Sequence, residues 1–171
     1  NSSSALRLQA YKSIVRPTLE YASIIWDPHD TTNIEKLEKI QRLGVRFIYN
    51  RYKRRDSPSA MLHQAALEPL ARRRKAARLC FFRSLYFQTL GIQPQSHFET
   101  ATTRPSRHKH SCSIKPVFAR TNSYKFSFFP KTISDWNALP PMIHLSFLQC
   151  CEACISDCMI RNYNYWQRHT V

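Results

Sequence analysis

The apolar positions of this chain fall into helical periods separated by proline-marked breaks. Leu8, Tyr11, Ile14 and Val15 recur at helical spacing, and Pro17 then forces a break or a kink, because it has no amide hydrogen and crowds the preceding turn. A second apolar piece, Leu19 to Trp26, is closed by Asp27-Pro28. Thr32-Asn-Ile-Glu35 has the form of a capping box, in which the Thr hydroxyl accepts from the third helical amide and the Glu reaches back. In the helix that it opens, Ile34, Leu37, Ile40, Gly44, Phe47 and Ile48 form one stripe, with Glu35, Lys36, Glu38, Lys39 and Arg42 on the other side.

After Tyr49-Asn50 the apolar positions thin out into Arg51, Lys53, Arg54 and Arg55. Ser57-Pro58 then suits the cap and first position of a short helix carrying Met61, Leu62 and Ala65. Glu68-Pro69 opens LARRRKAARLCFFRSLYFQTL, which runs to Gly91 as a left-handed C-cap. The first half of that helix is cationic. The second, with Leu79, Phe81, Phe82, Leu85 and Tyr86, is apolar around most of its circumference and predicts burial.

From Gln93 to Cys112 the residues are polar and without period, the pattern of a linker. Beyond it Tyr124, Phe126 and Phe128 alternate with polar residues, which predicts a half-buried strand paired with Ile114 to Ala119. Ile133, Trp136 and Leu139 share a face of a short helix starting at Pro130, and a last helical stretch covers about Leu145 to Arg161. The predicted architecture is mainly α: a helical region over 1–92, a polar linker over 93–112, and a small β-hairpin plus helices over 113–171.

Composition sharpens this picture in two ways. Only two glycines occur, Gly44 and Gly91, where ordinary usage gives roughly twelve, so an all-β design with many positive-φ turns is disfavoured. The formal net charge of +15 in 171 residues points to a polyanionic partner, nucleic acid before an acidic membrane, because the sequence carries no amphipathic anchor or lipidation signal. The longest charge-free run, Trp136 to Cys151, is too short for a membrane span and is interrupted by Pro140-Pro141. The start, NSSSALRLQ, lacks the features of a signal peptide and reads as a cut edge. Six cysteines without regular spacing suggest reduced thiols more than a disulfide framework.

The candidate chemistry is thin. Two-metal catalysis needs clustered carboxylates, and the closest Asp pair, Asp27 and Asp30, flanks a helix start where capping explains it. Cys151 and Cys154 have a C-x2-C spacing, yet Cys150, Cys154 and Cys158 step by four along one helix face, where cysteine packs as a small apolar residue. Phosphate-binding glycine loops and nucleophile elbows are ruled out by the glycine count, and His63, His97, His108 and His110 lack partner spacing. No catalytic residue, metal or cofactor is therefore assigned.

The basic surface remains. Arg46, Arg51, Lys53, Arg54 and Arg55, followed by Arg72, Arg73, Arg74, Lys75 and Arg78, place ten cations on two helices that short connections bring side by side. Such groups neutralise phosphates and release condensed counterions, which gives affinity without sequence preference. Tyr49 and Tyr52, interleaved with them, offer stacking surfaces. The plainer alternative is a solvated helix face whose cationic stems lie along apolar surface.

Several motifs occur in an order that resembles the region downstream of the polymerase core in non-LTR (LINE-type) retrotransposon reverse transcriptases. They are Y-K-S-x-V-R-P-x-L-E-Y-A-S at Tyr11 to Ser23, W-D-P at Trp26 to Pro28, and L-E-K-x-Q-R at Leu37 to Arg42. E-P-L at Glu68 to Leu70 and S-F-F-P-x-T-I-x-x-W-N-x-L-P at Ser127 to Pro140 complete the series. The resemblance runs from about Leu6 to Phe147. It implies a thumb-like helical region that holds a template–primer duplex, with the upstream palm and fingers as partners and the catalytic carboxylates outside this chain. The partner class is then RNA or an RNA–DNA hybrid, and the chain by itself is not an enzyme. Gly44 and the Cys-rich tail depart from the family pattern and fit a decayed or truncated copy. The runner-up readings are a helical protein-interaction module and an inert product of a degenerate element.

Overall fold

The computed structural model describes residues 2–91, 98–101 and 112–139. Most of the linker expected over 93–112, and the whole Cys-rich tail with its predicted helix, lie outside the described residues. The chain divides into two compact units, Asn1–Ala76 and Ala77–Val171. Both are helical, as the apolar periods predict, and no described helix is long and apolar enough to cross a membrane.

The first unit begins with α1 (Ser4–Ala10), capped by the Ser3 hydroxyl, which accepts from the Leu6 amide. The helix passes into a π-helical turn, Tyr11–Val15, and on into α2 (Arg16–Glu20), which contains Pro17. The expected disturbance at Pro17 thus takes the form of a widened turn just before the proline, closed by the Arg16 amide donating to the Tyr11 carbonyl. A short α3 (Ser23–Trp26) follows Ala22, which is held at φ 51.

The longest helix is α4 (Thr31–Tyr49). Its cap is Asp30, whose carboxylate accepts from the Asn33 amide at 3.3 Å, so the capping box anticipated at Thr32 does not form. The buried face is also turned from the predicted stripe. Gln41, Val45 and Ile48 point inward, while Ile40 and Phe47 remain exposed. Two contacts explain the rotation. The ring of Tyr11 lies against Gly44, so close that a Cβ there would stand 2.5 Å from Tyr11 Cε2. On the same side the Gln41 side-chain amide donates to the Glu68 carbonyl at 2.9 Å. Gly44 is therefore a packing requirement, met at a cost in helix propensity of about 1 kcal/mol.

Arg7 ties α1 to the far end of α4, its guanidinium donating to the Phe47 carbonyl at 3.2 Å. A cation at that position also favours the negative end of the helix dipole. Helix α5 (Pro58–Gln64), capped by Ser57, then packs on α4 through Met61, which joins Tyr11, Val45, Ile48, Ala65 and Leu67 in one core. Finally the carboxylate of Glu38 accepts from the Ala71 amide at 2.8 Å, supplying from α4 an acceptor to the open first turn of α6 (Leu70–Tyr86).

The left-handed turns disfavoured by the glycine count do occur, on other residues. Asn50, Ala66 and Gln88 each take a positive φ just past a helix end. In each case the following amide reaches back five residues: Arg51 to Arg46, Leu67 to Leu62, and Thr89 to Ser84. This paired closure satisfies orphan carbonyls and offsets the strain of a non-glycine residue there. Helix α6 consequently ends at Tyr86, five residues before Gly91.

The second unit is built around the later half of α6 and α8 (Phe128–Asn137), where Leu79, Phe82, Ile114, Ile133 and Trp136 form the core. The rings of Phe82 and Trp136 meet edge to face at 5.4 Å. Asn137 clamps the incoming chain with two bonds, its Oδ1 accepting from the Ile114 amide at 3.0 Å and its Nδ2 donating to the Ile114 carbonyl at 2.8 Å. Cys80 is buried on α6, and four of the six cysteines lie outside the described residues.

The predicted β-hairpin is absent from the described residues. Asn122–Lys125 forms α7, capped by the Thr121 hydroxyl, and a single antiparallel bridge joins Thr100 to Ile114. Two side-chain bonds, Thr121 to the Tyr124 amide and Ser127 to the Tyr124 carbonyl, hold the aromatic segment in helical turns. They outweigh its alternating pattern.

Candidate nucleic-acid interface

The ten cations do not form one surface. On α6, Arg73, Arg74 and Arg78 are each held by a carboxylate. Arg74 is 1% exposed and its Nε donates to Asp27 Oδ1 at 2.9 Å, with the guanidinium lying 5.9 Å from the centre of the Trp26 ring. Arg73 makes a two-bonded pair with Glu20. Arg78 is 2% exposed and pairs with Asp135. Leu70, Arg74, Arg78 and Phe82 step by four along α6, so the two arginines occupy the buried stripe of the helix. The assignment of Arg74 and Arg78 to ligand contact is corrected accordingly, since a guanidinium removed from water and bonded to a carboxylate is a structural group, and the part-exposed Arg73 is corrected on its two bonds to Glu20.

Arg72 and Lys75 stay on the exposed side of α6. Arg72 stands 3.9 Å from Glu68, both side chains well exposed, a pairing too weak to compete with phosphate.

Arg46 takes a role that the sequence did not suggest. Its guanidinium turns toward the backbone of the next loop, within 3.4 Å of the Lys53 carbonyl and 3.5 Å of the Asp56 carbonyl. Asp56 completes the arrangement: its carboxylate accepts from the Lys53 amide at 3.1 Å, and its own amide donates to the Lys53 carbonyl at 3.0 Å. The loop leaves α4 through the left-handed Asn50, and with these contacts it forms a fixed turn.

Arg51, Lys53, Arg54 and Arg55 are all exposed on that turn, and Tyr52 among them is 60% exposed. This is the largest group of outward cations in the first unit to survive from the sequence assignment. It lies about 12 Å along α4 beyond Gln41, where the start of α6 is docked, at 1.5 Å per helical residue. The two-helix cradle expected from the sequence therefore reduces to one basic turn, with Arg72 and Lys75 on the exposed side of α6.

Asp30 and Asp27 are both accounted for without a metal, the first as a cap and the second by Arg74. No group of three or more His, Cys, Asp or Glu side chains suited to a metal ion occurs among the described residues. His97, His108, His110 and the cluster Cys150 to Cys158 lie outside them.

Many motif residues that carry the family resemblance are structural ties. Tyr11 fills the first core, Glu20 and Asp27 hold arginines, and Glu38 and Gln41 dock the start of α6. In the second unit Trp136 donates to the Cys112 carbonyl at 2.9 Å and Asn137 clamps Ile114. No family model, curated protein or solved structure matches this chain.

Proposed function

We propose that this chain is a piece of a non-LTR retrotransposon reverse transcriptase, one that binds the backbone of RNA or an RNA–DNA hybrid while polymerisation is carried out by upstream palm and fingers. The motif order supports the family reading. The observation that carries the binding reading is the basic turn: four exposed cations and an exposed tyrosine on a loop whose shape is set by Arg46 and Asp56. A turn already held in shape loses little conformational freedom on binding. Its guanidinium and ammonium groups face phosphates, and Tyr52 lies against a base or sugar.

The test is the salt dependence of binding to an RNA–DNA hybrid. With about four phosphate contacts, affinity falls roughly 100-fold between about 50 and about 200 mM salt. Replacing Arg51, Lys53, Arg54 and Arg55 together by Gln removes most of that slope and leaves sequence tolerance unchanged. An affinity that hardly moves with salt, or a quadruple variant with the slope of the parent, overturns the proposal.

A further inference from the structure

Helix α4 carries a second surface that nothing described so far uses. Ile40, Leu43 and Phe47 are 40%, 54% and 50% exposed, and they follow one another by three and four residues, so they line one outer strip of the helix. Lys36 lies on the same line one turn earlier, and Lys39 and Arg42 follow around one flank, all three exposed. On that flank they outnumber Glu35. A strip of three half-exposed large apolar side chains beside cations is an apolar ridge with a basic rim, a surface suited to packing against an amphipathic helix.

We infer that this strip docks an acidic amphipathic helix of a partner protein, its leucines or phenylalanines on Ile40, Leu43 and Phe47 and its carboxylates on Lys36, Lys39 and Arg42. Charge decides between occupants. A second copy of this chain in a twofold arrangement brings Lys36, Lys39 and Arg42 against their own equivalents, on a molecule of net charge +15. A nucleic acid strand presents phosphates to Ile40 and Leu43, which have no π face to stack on a base. An acidic helix satisfies both the apolar strip and the cations.

The experiment uses the full chain and a fluorescein-labelled peptide with Leu or Phe at i, i+3, i+4 and i+7 and Glu at most other positions. The control peptide has the same composition with the apolar residues moved off one face. The expected result is saturable binding of the patterned peptide, weakened about tenfold by Leu43→Asp and, independently, by Ile40→Ser. Lys39→Glu with Arg42→Glu weakens it further, and the same variant gains affinity for a peptide with Lys in place of Glu. Equal binding of both peptides, or binding indifferent to Leu43→Asp and Ile40→Ser, overturns the inference. So does a Leu43→Asp variant that instead loses binding to an RNA–DNA hybrid or loses self-association, since the strip then belongs to nucleic acid or to a second copy.

Discussion

Arg74 donates from Nε to the Asp27 carboxylate at 2.9 Å, while its two terminal nitrogens, both buried, have no hydrogen-bond partner among the described residues. The pair thus holds a charge in the core of the first unit with one good bond and an aromatic face. Removing the Asp27 charge leaves the buried Arg74 guanidinium without its carboxylate. Asp27→Asn is expected to destabilise by about 3 to 5 kcal/mol, read from urea unfolding. The double replacement Arg74→Met with Asp27→Leu is expected to recover most of that loss, because apolar side chains of similar size remove the desolvation cost altogether.

The Gly44–Tyr11 contact makes a prediction opposite to helix propensity. Gly44→Ala gains about 1 kcal/mol as a helix former, but its methyl group collides with the Tyr11 ring, and a net loss of about 1 to 3 kcal/mol is expected. In the Tyr11→Leu background the same substitution is expected to be neutral or favourable, so a double-mutant cycle gives a large coupling. Additive effects of the two changes show that the ring does not rest on the glycine.

Burial pushes the Tyr11 hydroxyl up to about 12 from its ordinary 10.0, and the nearby Glu20 carboxylate adds to the effect. The phenol loses its proton more readily in the unfolded chain, so the native state is the better proton binder between those values. Stability is therefore intact below about pH 10 and falls as pH rises toward 12, by about 2 to 3 kcal/mol from this group. Tyr11→Phe is expected to abolish that part of the alkaline loss. At neutral pH the same change is close to neutral, since the hydroxyl has no hydrogen-bond partner among the described residues.

For the basic turn, shape and charge predict different outcomes at Asp56. Removing its negative charge by Asp56→Asn favours phosphate through simple electrostatics, whereas weakening the bond to the Lys53 amide loosens the turn. With a preorganised turn as the basis of binding, the variant binds an RNA–DNA hybrid no more tightly than the parent. It also loses amide-exchange protection at Lys53. A clear gain in affinity indicates that net charge alone governs binding.

Helices were legible in the sequence wherever long apolar periods ran uninterrupted, as in α4 and α6, and the core positions Ile133 and Trp136 followed from their shared face. The failures have local causes. The 124–128 segment alternates like a strand, but neighbouring hydroxyls at Thr121 and Ser127 offer the backbone helical partners, and a single-sequence period does not register them. At the candidate site, a run of cations gave no way to tell which faced inward. The signal that existed was the spacing of four through Leu70, Arg74, Arg78 and Phe82, which places two arginines in an apolar stripe that needs distant carboxylates. Asp27 and Asp135 answer that need from far along the chain, and such pairings are set by tertiary structure.

The interlock of Gly44 with Tyr11 also constrains the routes by which this sequence can drift. A mutation that adds a side chain at position 44 costs stability while the ring is in place, and a smaller residue at position 11 lifts that penalty only by leaving a void of its own. The two positions are thus expected to change together or not at all in descendants of this gene, and one carrying alanine beside an intact tyrosine must have moved that ring.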